Sequence, residues 1–145
     1  MTDWANGLPF MIGPYEVGLT ETSPETTGFW EGIGRGQLMV KRCADCETWL
    51  HPRRILCPNC RSDALEWRRS AGTGTVYSFS TVHHPPSSAF AAPYTNGLIE
   101  LDEGPFLFGR ILADAEEDIA VGSRVSVEFG PVVEGGDVLP LYRLS

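Results

Sequence analysis

The chain has no apolar run near the roughly 20 residues that a membrane-crossing helix requires, so no transmembrane helix is expected. Residues 1–11 lack a basic start and a continuous apolar stretch, so no secretory leader is expected and a cytoplasmic location is. No G-x-S-x-G motif offers an acyl-transfer serine, and no acid–base pair stands out. Internal repeats and low-complexity tracts are missing too. Net positive charge is also lacking. The formal charge is −8, which argues against binding nucleic acid over the whole surface, because phosphate contacts need a positive field.

Long helices have little room, since 16 glycines and 11 prolines in 145 residues suit short strands and turns. A chain of this length, 42% hydrophobic, fits one domain, or a small module beside a domain of about 80 residues.

Cysteine is confined to two tight pairs, Cys43-Ala44-Asp45-Cys46 and Cys57-Pro58-Asn59-Cys60. Each C-x-x-C pair can form a knuckle that aims two thiolates at one point. Two knuckles joined by a short hairpin give the tetrahedron of sulfurs that a structural zinc ion accepts. A rubredoxin-like iron site uses the same ligands, but it would call for glycine after each knuckle, where this chain has Glu47 and Arg61, and for a much longer insert. Disulfides suit an oxidising compartment, which the expected location does not supply. A redox C-x-x-C normally stands alone at a helix start in a βαβ pattern. Zinc is the favoured reading. With four sulfurs bound no coordination position stays open, so the ion would fold a module and do no Lewis-acid chemistry. His51, between the knuckles, then reads as a partly exposed loop residue and not as a ligand.

Charge is unevenly placed. Residues 40–69 hold seven of the eleven cations (Lys41, Arg42, Arg53, Arg54, Arg61, Arg68, Arg69) against Asp45, Glu47, Asp63 and Glu66. Zinc with four thiolates adds −2 and leaves a local excess of about +1. These arginines either offset the metal centre or form an anion site, for ligand phosphates or a partner's acids.

The pattern along the chain is mainly β, divided as 1–37 (N-terminal arm and helix), 38–64 (zinc ribbon) and 65–145 (OB-fold). Trp4, Phe10, Met11, Ile12 and Tyr15 make the arm too apolar for a free tail, so it is expected to lie along another surface. A helix is expected from Ser23 as N-cap and Pro24 as first helical residue, with Phe29, Trp30 and Ile33 on one face. Its glycines make it weak, so it should depend on packing. The Gly32–Gly36 stretch lacks the strand–turn–helix setting of a dinucleotide site and reads as a helix end. Strands are expected at 38–42, 48–51, 65–69, 75–82, 98–101, 106–112, 124–129 and 138–144, with a hairpin at Asp102-Glu103-Gly104. Five strands in the last 80 or so residues fit a closed OB-fold barrel, with a sandwich as the other option. The stretch from His83 to Tyr94 reads as a long, proline-stiffened contact loop. Phe90 and Tyr94 would offer apolar area there, and His83 and His84 hydrogen bonds.

Taken in order, these features resemble a known family. They are Phe29-Trp30, Gly36-Gln37-Leu38 into Cys43-x-x-Cys46, His51-Pro52-Arg53, Cys57-Pro58-x-Cys60 and Leu65-Glu66-Trp67. Gly72-x-Gly74-x-Val76-Tyr77-Ser78, Pro93-Tyr94 and Gly122-x-x-Val125 follow. The series is similar to the rubredoxin-like zinc-ribbon plus OB-fold family once catalogued as domain of unknown function 35, over residues 23–130. His51 departs from the family, which more often has a second proline there. The resemblance implies an accessory, non-catalytic subunit of a thiolase-like enzyme, such as the aldolases that shorten steroid side chains or archaeal thiolase–synthase assemblies. It implies zinc on Cys43, Cys46, Cys57 and Cys60, a hetero-oligomer of two plus two, and an acyl-CoA enclosed at the interface. Arg53, Arg54, His83, His84, Phe90, Tyr94, Phe29 and Trp30 are the candidate CoA or partner contacts. Once four cysteines bind zinc, none is left as a thiolase-type nucleophile. Two rivals stand beside this reading. One is a single-stranded nucleic-acid module stacking bases on Trp67, Tyr77 and Phe79, although barrel core is the simpler role for those rings. The other is a lone enzyme with His83 or His84 as base.

Overall fold

Ser23 and Thr26 shape the entry to the first element. Thr26 N–H donates to Ser23 O (2.9 Å), Ser23 N–H donates to Thr26 Oγ1 (3.1 Å), and the Thr27 hydroxyl returns to Ser23 O (3.1 Å). These bonds close a turn, so helix α1 starts later than the sequence suggests and spans Thr27–Gly34, with Thr26 and not Ser23 as N-cap. The computed structural model describes residues 23–86, 90–131 and 137–145. The expected N-terminal arm, residues 1–22, lies outside them.

The glycines of α1 have a packing reason. A Cβ on Gly28 would sit 2.4 Å from the Trp67 ring, and one on Gly32 would sit 2.3 Å from Met39 Cγ. These positions are one turn apart, so one bare stripe lets the helix lie close against the sheet beneath it. Ile33 is buried and Phe29 packs on the main core. Gly36, at φ 70°, ends the helix, with Gln37 N–H donating to Gly32 O at 2.8 Å.

Three short strands form the ribbon sheet: β1 (Met39–Cys43), β2 (Trp49–Leu50) and β3 (Leu65–Arg69), in the order β2-β1-β3. Both pairings are antiparallel, with Lys41 opposite Leu50 and Trp67. Strand β3 lies inside the stretch 65–145 that the sequence reading grouped with the barrel, yet it pairs along its whole length with β1.

The remaining strands are β4 (Thr73–Val82), β5 (Tyr94–Leu101), β6 (Phe106–Leu112), β7 (Arg124–Gly130) and β8 (Leu139–Leu144). They close as β4-β5-β6-β8-β7, with β6 and β8 parallel and β7 returning to β4 through Thr73–Thr75. This closed five-stranded barrel is the OB-fold and disposes of the sandwich. A 3-10 turn at Glu116–Asp118 lies between β6 and β7.

Val76, Ile99, Leu101, Leu107, Ile111, Ile119, Val125 and Tyr142 fill the barrel, and Leu38 and Val40 of the ribbon side belong to the same buried cluster. Ribbon and barrel therefore share one core. Glu103 adds a polar tie: its carboxylate accepts from Ser70 Oγ (2.7 Å) and Ala71 N–H (2.8 Å) at the junction between them.

Candidate functional site

The two cysteine knuckles repeat one backbone pattern. Cys43 N–H donates to Thr48 O (2.9 Å) and Glu47 N–H to Cys43 O (2.9 Å); Cys57 N–H donates to Ser62 O (2.8 Å) and Arg61 N–H to Cys57 O (2.7 Å). To close these turns Glu47 and Arg61 adopt φ of 65° and 63°. Those are the positions where glycine was expected of a rubredoxin-like knuckle. The turn forms without glycine, so the missing glycines do not separate zinc from iron.

The sulfurs converge. Cys43 and Cys60 Sγ are 3.6 Å apart, Cys46 and Cys57 Sγ 3.5 Å, and all four lie within 4.8 Å of one another. A tetrahedron of sulfurs about 2.3 Å from a central zinc has edges of about 3.8 Å, so the set fits the ion. None of the four is in a disulfide. Their ionisation agrees with a cation site. Hydrogen bonds from Thr48 first, then from Asn59, bring Cys46 down to about 6. A backbone bond from Ser62 favours the Cys60 thiolate, but desolvation and the three neighbouring thiols outweigh it and push Cys60 up to about 12. Four sulfurs this close cannot all be charged unless a cation sits among them. Leu50 and Leu65 pack the centre from below.

Beside the metal centre the chain makes a tight turn over residues 51–54. Arg54 N–H donates to His51 O (3.0 Å), and Arg53 N–H donates to His51 Nδ1 (3.0 Å). From behind, the buried Lys41 ammonium donates to Arg54 O (2.7 Å) and Glu25 O (2.9 Å) while lying 4.8 Å from the centre of the Trp67 ring. Burial first, then Arg53, Arg54 and Lys41, lower the pKa of His51 and hold it neutral. The turn faces the β5–β6 hairpin across a cleft of about 640 Å³. His51, Arg53, Arg54, Trp49, Pro58 and Phe106 are among the residues that line it.

The other candidate contacts divide. His83 and His84 are both exposed. Tyr94 is not a loop residue: it starts β5, pairs with Val82 and is buried under the Arg110 guanidinium, 4.0 Å from its ring centre. Phe90 leans on that ring at 5.8 Å, so much of the expected apolar contact area is used inside the chain. Residues 87–89 of the same loop lie outside the described residues. Phe29 and Trp30 meet edge to face at 5.0 Å, both half-buried, with Phe29 on the core.

The barrel aromatics depart from the expectation of core. Tyr77 is 57% exposed and Phe79 39%; Phe106 and Phe108 on β6 are 38% and 71% exposed. Trp67, by contrast, is covered by Gly28 and Lys41. An OB surface with free rings could take bases, but the cations that phosphates need are engaged. Arg110 stacks on Tyr94 and reaches Asn96 (3.3 Å), Arg124 grips Asp102 (2.7 and 2.8 Å), and Arg143 grips Glu128 (2.8 and 2.9 Å). These are the only cations in residues 70–145, against ten acids.

Comparison with known proteins fits this two-part build. Residues 30–66 match the ChsH2 rubredoxin-like zinc ribbon domain and residues 67–130 the ChsH2 C-terminal OB-fold domain. A DUF35 domain-containing scaffold protein of Methanocaldococcus jannaschii is 38% identical over 102 residues, 69% of this chain and 72% of that protein. The chain belongs to the DUF35 family. Its DUF35 fold superposes on a chain of the solved Ltp2-ChsH2(DUF35) aldolase with a TM-score of 0.77 and 33% identity, covering 86% of this chain and 98% of that one. A probable enoyl-CoA hydratase alpha subunit of Thermomonospora curvata is 39% identical over 102 residues. The chain spans about a third (32%) of that protein's length and 70% of its own. Among the described residues, no helix of this DUF35 protein is long and apolar enough to cross a membrane.

Trp49, Pro58 and Phe106 escaped the sequence reading as lining residues. They come from β2, the second knuckle and β6, and only the folded hairpins bring them together. The one signal available was the Trp49-Leu50-His51-Pro52-Arg53-Arg54 run, which mixes ring and charge.

Proposed function

We propose that this chain is a non-catalytic accessory subunit whose OB barrel docks on a thiolase-like enzyme and helps enclose an acyl-CoA at the interface. Cys43, Cys46, Cys57 and Cys60 would hold a structural zinc ion. Such an ion supplies folding energy, and four thiolates leave it no open position for substrate. The reactive groups then belong to the partner, and two copies of each subunit form the assembly.

The observation that carries this reading is the match to the DUF35 chain of the Ltp2-ChsH2(DUF35) aldolase over nearly all of that chain's length. The barrel surface supports it. Tyr77, Phe106 and Phe108 expose rings on β4 and β6, and the three arginines of the barrel itself are engaged within the chain. A face of exposed rings suits a protein partner. Closing the interface over a thioester would exclude water and strengthen the partner's electrostatics.

The test is co-expression with a thiolase-like enzyme of the same source, followed by mass measurement of the intact complex and metal analysis. Expected is a complex with one zinc per copy of this chain and acyl-CoA turnover that falls when the chain is withheld. Phe108→Glu should weaken association while leaving the fold intact. Full activity of the enzyme without this chain sinks the proposal.

A further inference from the structure

Residues 1–22 carry Asp3, Glu16 and Glu21 and no lysine, arginine or histidine. Between Gly7 and Gly13 they hold the apolar run Leu8-Pro9-Phe10-Met11-Ile12. A segment this apolar gains by covering its side chains, and an anionic one gains by doing so beside cations. Two surfaces of the described residues offer apolar ground. The β4–β6 face exposes Tyr77, Phe106 and Phe108, but residues 70–145 hold ten acids, and their three arginines are engaged. The ribbon–barrel cleft combines Trp49, Pro58 and Phe106 with Arg53 and Arg54, neither of which makes an ion pair among the described residues. Ile55 and Leu56, 63% and 51% exposed, follow those arginines directly in the chain. Charge separates the two surfaces and favours the cleft.

The arm also joins the described chain beside that cleft. A single ammonium, Lys41 Nζ, donates to the Glu25 carbonyl (2.9 Å), two residues after Ser23, and to the Arg54 carbonyl (2.7 Å). The root of the arm and the turn carrying both arginines are therefore tied together. A hydrogen bond from Ser23 first, and the charges of Lys41 and Arg53 after it, lower the pKa of Glu25, so the field of these cations reaches the root. Ile12 is eleven residues from Ser23, which gives a reach of up to about 36 Å. The cleft, of about 640 Å³, suits a short apolar run and not a whole arm.

We propose that residues 8–12 fold back into this cleft of the same chain, with Phe10 against Trp49 and Phe106. Glu16 and Glu21, between the run and Ser23, then pass beside Arg53 and Arg54. The arm is an intramolecular plug, and any other anion that is to reach the two arginines has to displace it.

The test uses the full zinc-loaded chain without a partner, carrying Phe10→p-benzoylphenylalanine as a photo-crosslinking probe. Expected are crosslinks to residues 48–54 and 105–106, formed within one chain when light and heavy isotope-labelled chains are mixed. Crosslinks between light and heavy chains would make a second copy the occupant and overturn the proposal. Crosslinks around Phe108, or spread without preference, would overturn it too. Chymotrypsin gives an independent reading, since cutting needs an open arm. Cleavage after Phe10 should be about tenfold or more slower in the chain than in a peptide of residues 1–22. Arg53→Gln with Arg54→Gln should speed it about fivefold by removing the ion pairs. Both arginines are exposed, and an unchanged thermal melt and zinc content check the fold. Cutting at the peptide's rate, or a rate the double variant leaves unchanged, sinks the plug. Crosslinks that appear only with an enzyme present, and on that enzyme, would assign the arm to the partner instead. The plug stands or falls in the isolated chain, so its failure leaves the accessory-subunit reading untouched, and a chain that never associates with an enzyme leaves the plug untouched.

Discussion

Ribbon and barrel handle charge in opposite ways. On the barrel each arginine has a partner within the chain: Asp102 for Arg124, Glu128 for Arg143, the Tyr94 ring for Arg110. Among the described residues the ribbon's Arg53 and Arg54 make no ion pair, and the buried Lys41 holds the Arg54 carbonyl. Exposed apolar groups occur in both regions but differ in kind: the ribbon exposes the aliphatic Ile55 and Leu56 between its knuckles, whereas the barrel leaves the rings of Tyr77, Phe106 and Phe108 in water. A side chain left unsatisfied by its own fold is free to meet something else, and the two regions leave different groups free.

The sharpest way to break this comparison is to remove the metal. Chelation, or Cys43→Ser, should cost several kcal/mol, because binding at a closed four-thiolate site is folding energy. Leu38 and Val40 share the barrel's core, so the barrel should melt earlier as well. Hydrogen exchange would follow both regions, and a barrel that keeps its full protection would show them to be independent.

Next comes the helix that rides on the ribbon. Gly28→Ala places a methyl into the Trp67 ring and should cost about 2–3 kcal/mol in denaturant unfolding. Gly34→Ala, with open space around the new methyl, should stabilise by about 0.5–1 kcal/mol. Equal effects at the two positions would mean that helix packing on Trp67 does not matter.

A smaller gain is expected at the knuckles. Glu47→Gly and Arg61→Gly each relieve a left-handed backbone and should raise the melting point by the equivalent of about 0.5–1 kcal/mol. A fall in stability would show that the side chains, through contacts such as Arg42 with Glu47 at 3.2 Å, outweigh the strain.

The smallest effect is a pH dependence in the barrel. Arg124 first, then Thr73, hold Asp102 well below the usual carboxylate range. A carboxylate lowered in the folded state contributes stability that is present above its ordinary pKa and lost as pH falls below it. Asp102→Asn should therefore lower the melting point at neutral pH and narrow the gap to wild type in strong acid. A gap that widens in acid would contradict the assignment.

Much of the site was readable because its signals are local. Two C-x-x-C pairs near each other imply one metal whatever surrounds them, and period-two runs with turn residues imply strands. The start of α1 was misplaced because Ser23 has two local uses, a cap or a turn, and the hydroxyl of Thr26 tips it to the turn. Tyr94 reads as a loop residue in the sequence because the prolines upstream mask the start of β5. Alternation puts Tyr77 and Phe79 on one face of the strand, but the core takes the other face, through Gly74 and Val76, and a bulge between Val76 and Ser78 separates the registers of the two rings.

Sequence alone determined the four-sulfur centre, the order helix, ribbon, barrel, and the weakness of a glycine-rich helix, since each follows from residues close together in the chain. Tertiary structure decided which rings reach water, which arginines find a carboxylate on the barrel, and that Trp49 and Phe106 share a cleft with Arg53 and Arg54. Those outcomes depend on pairings between distant segments, and local chemistry does not specify how a ribbon hairpin and a barrel hairpin will lie once a common core has drawn them together.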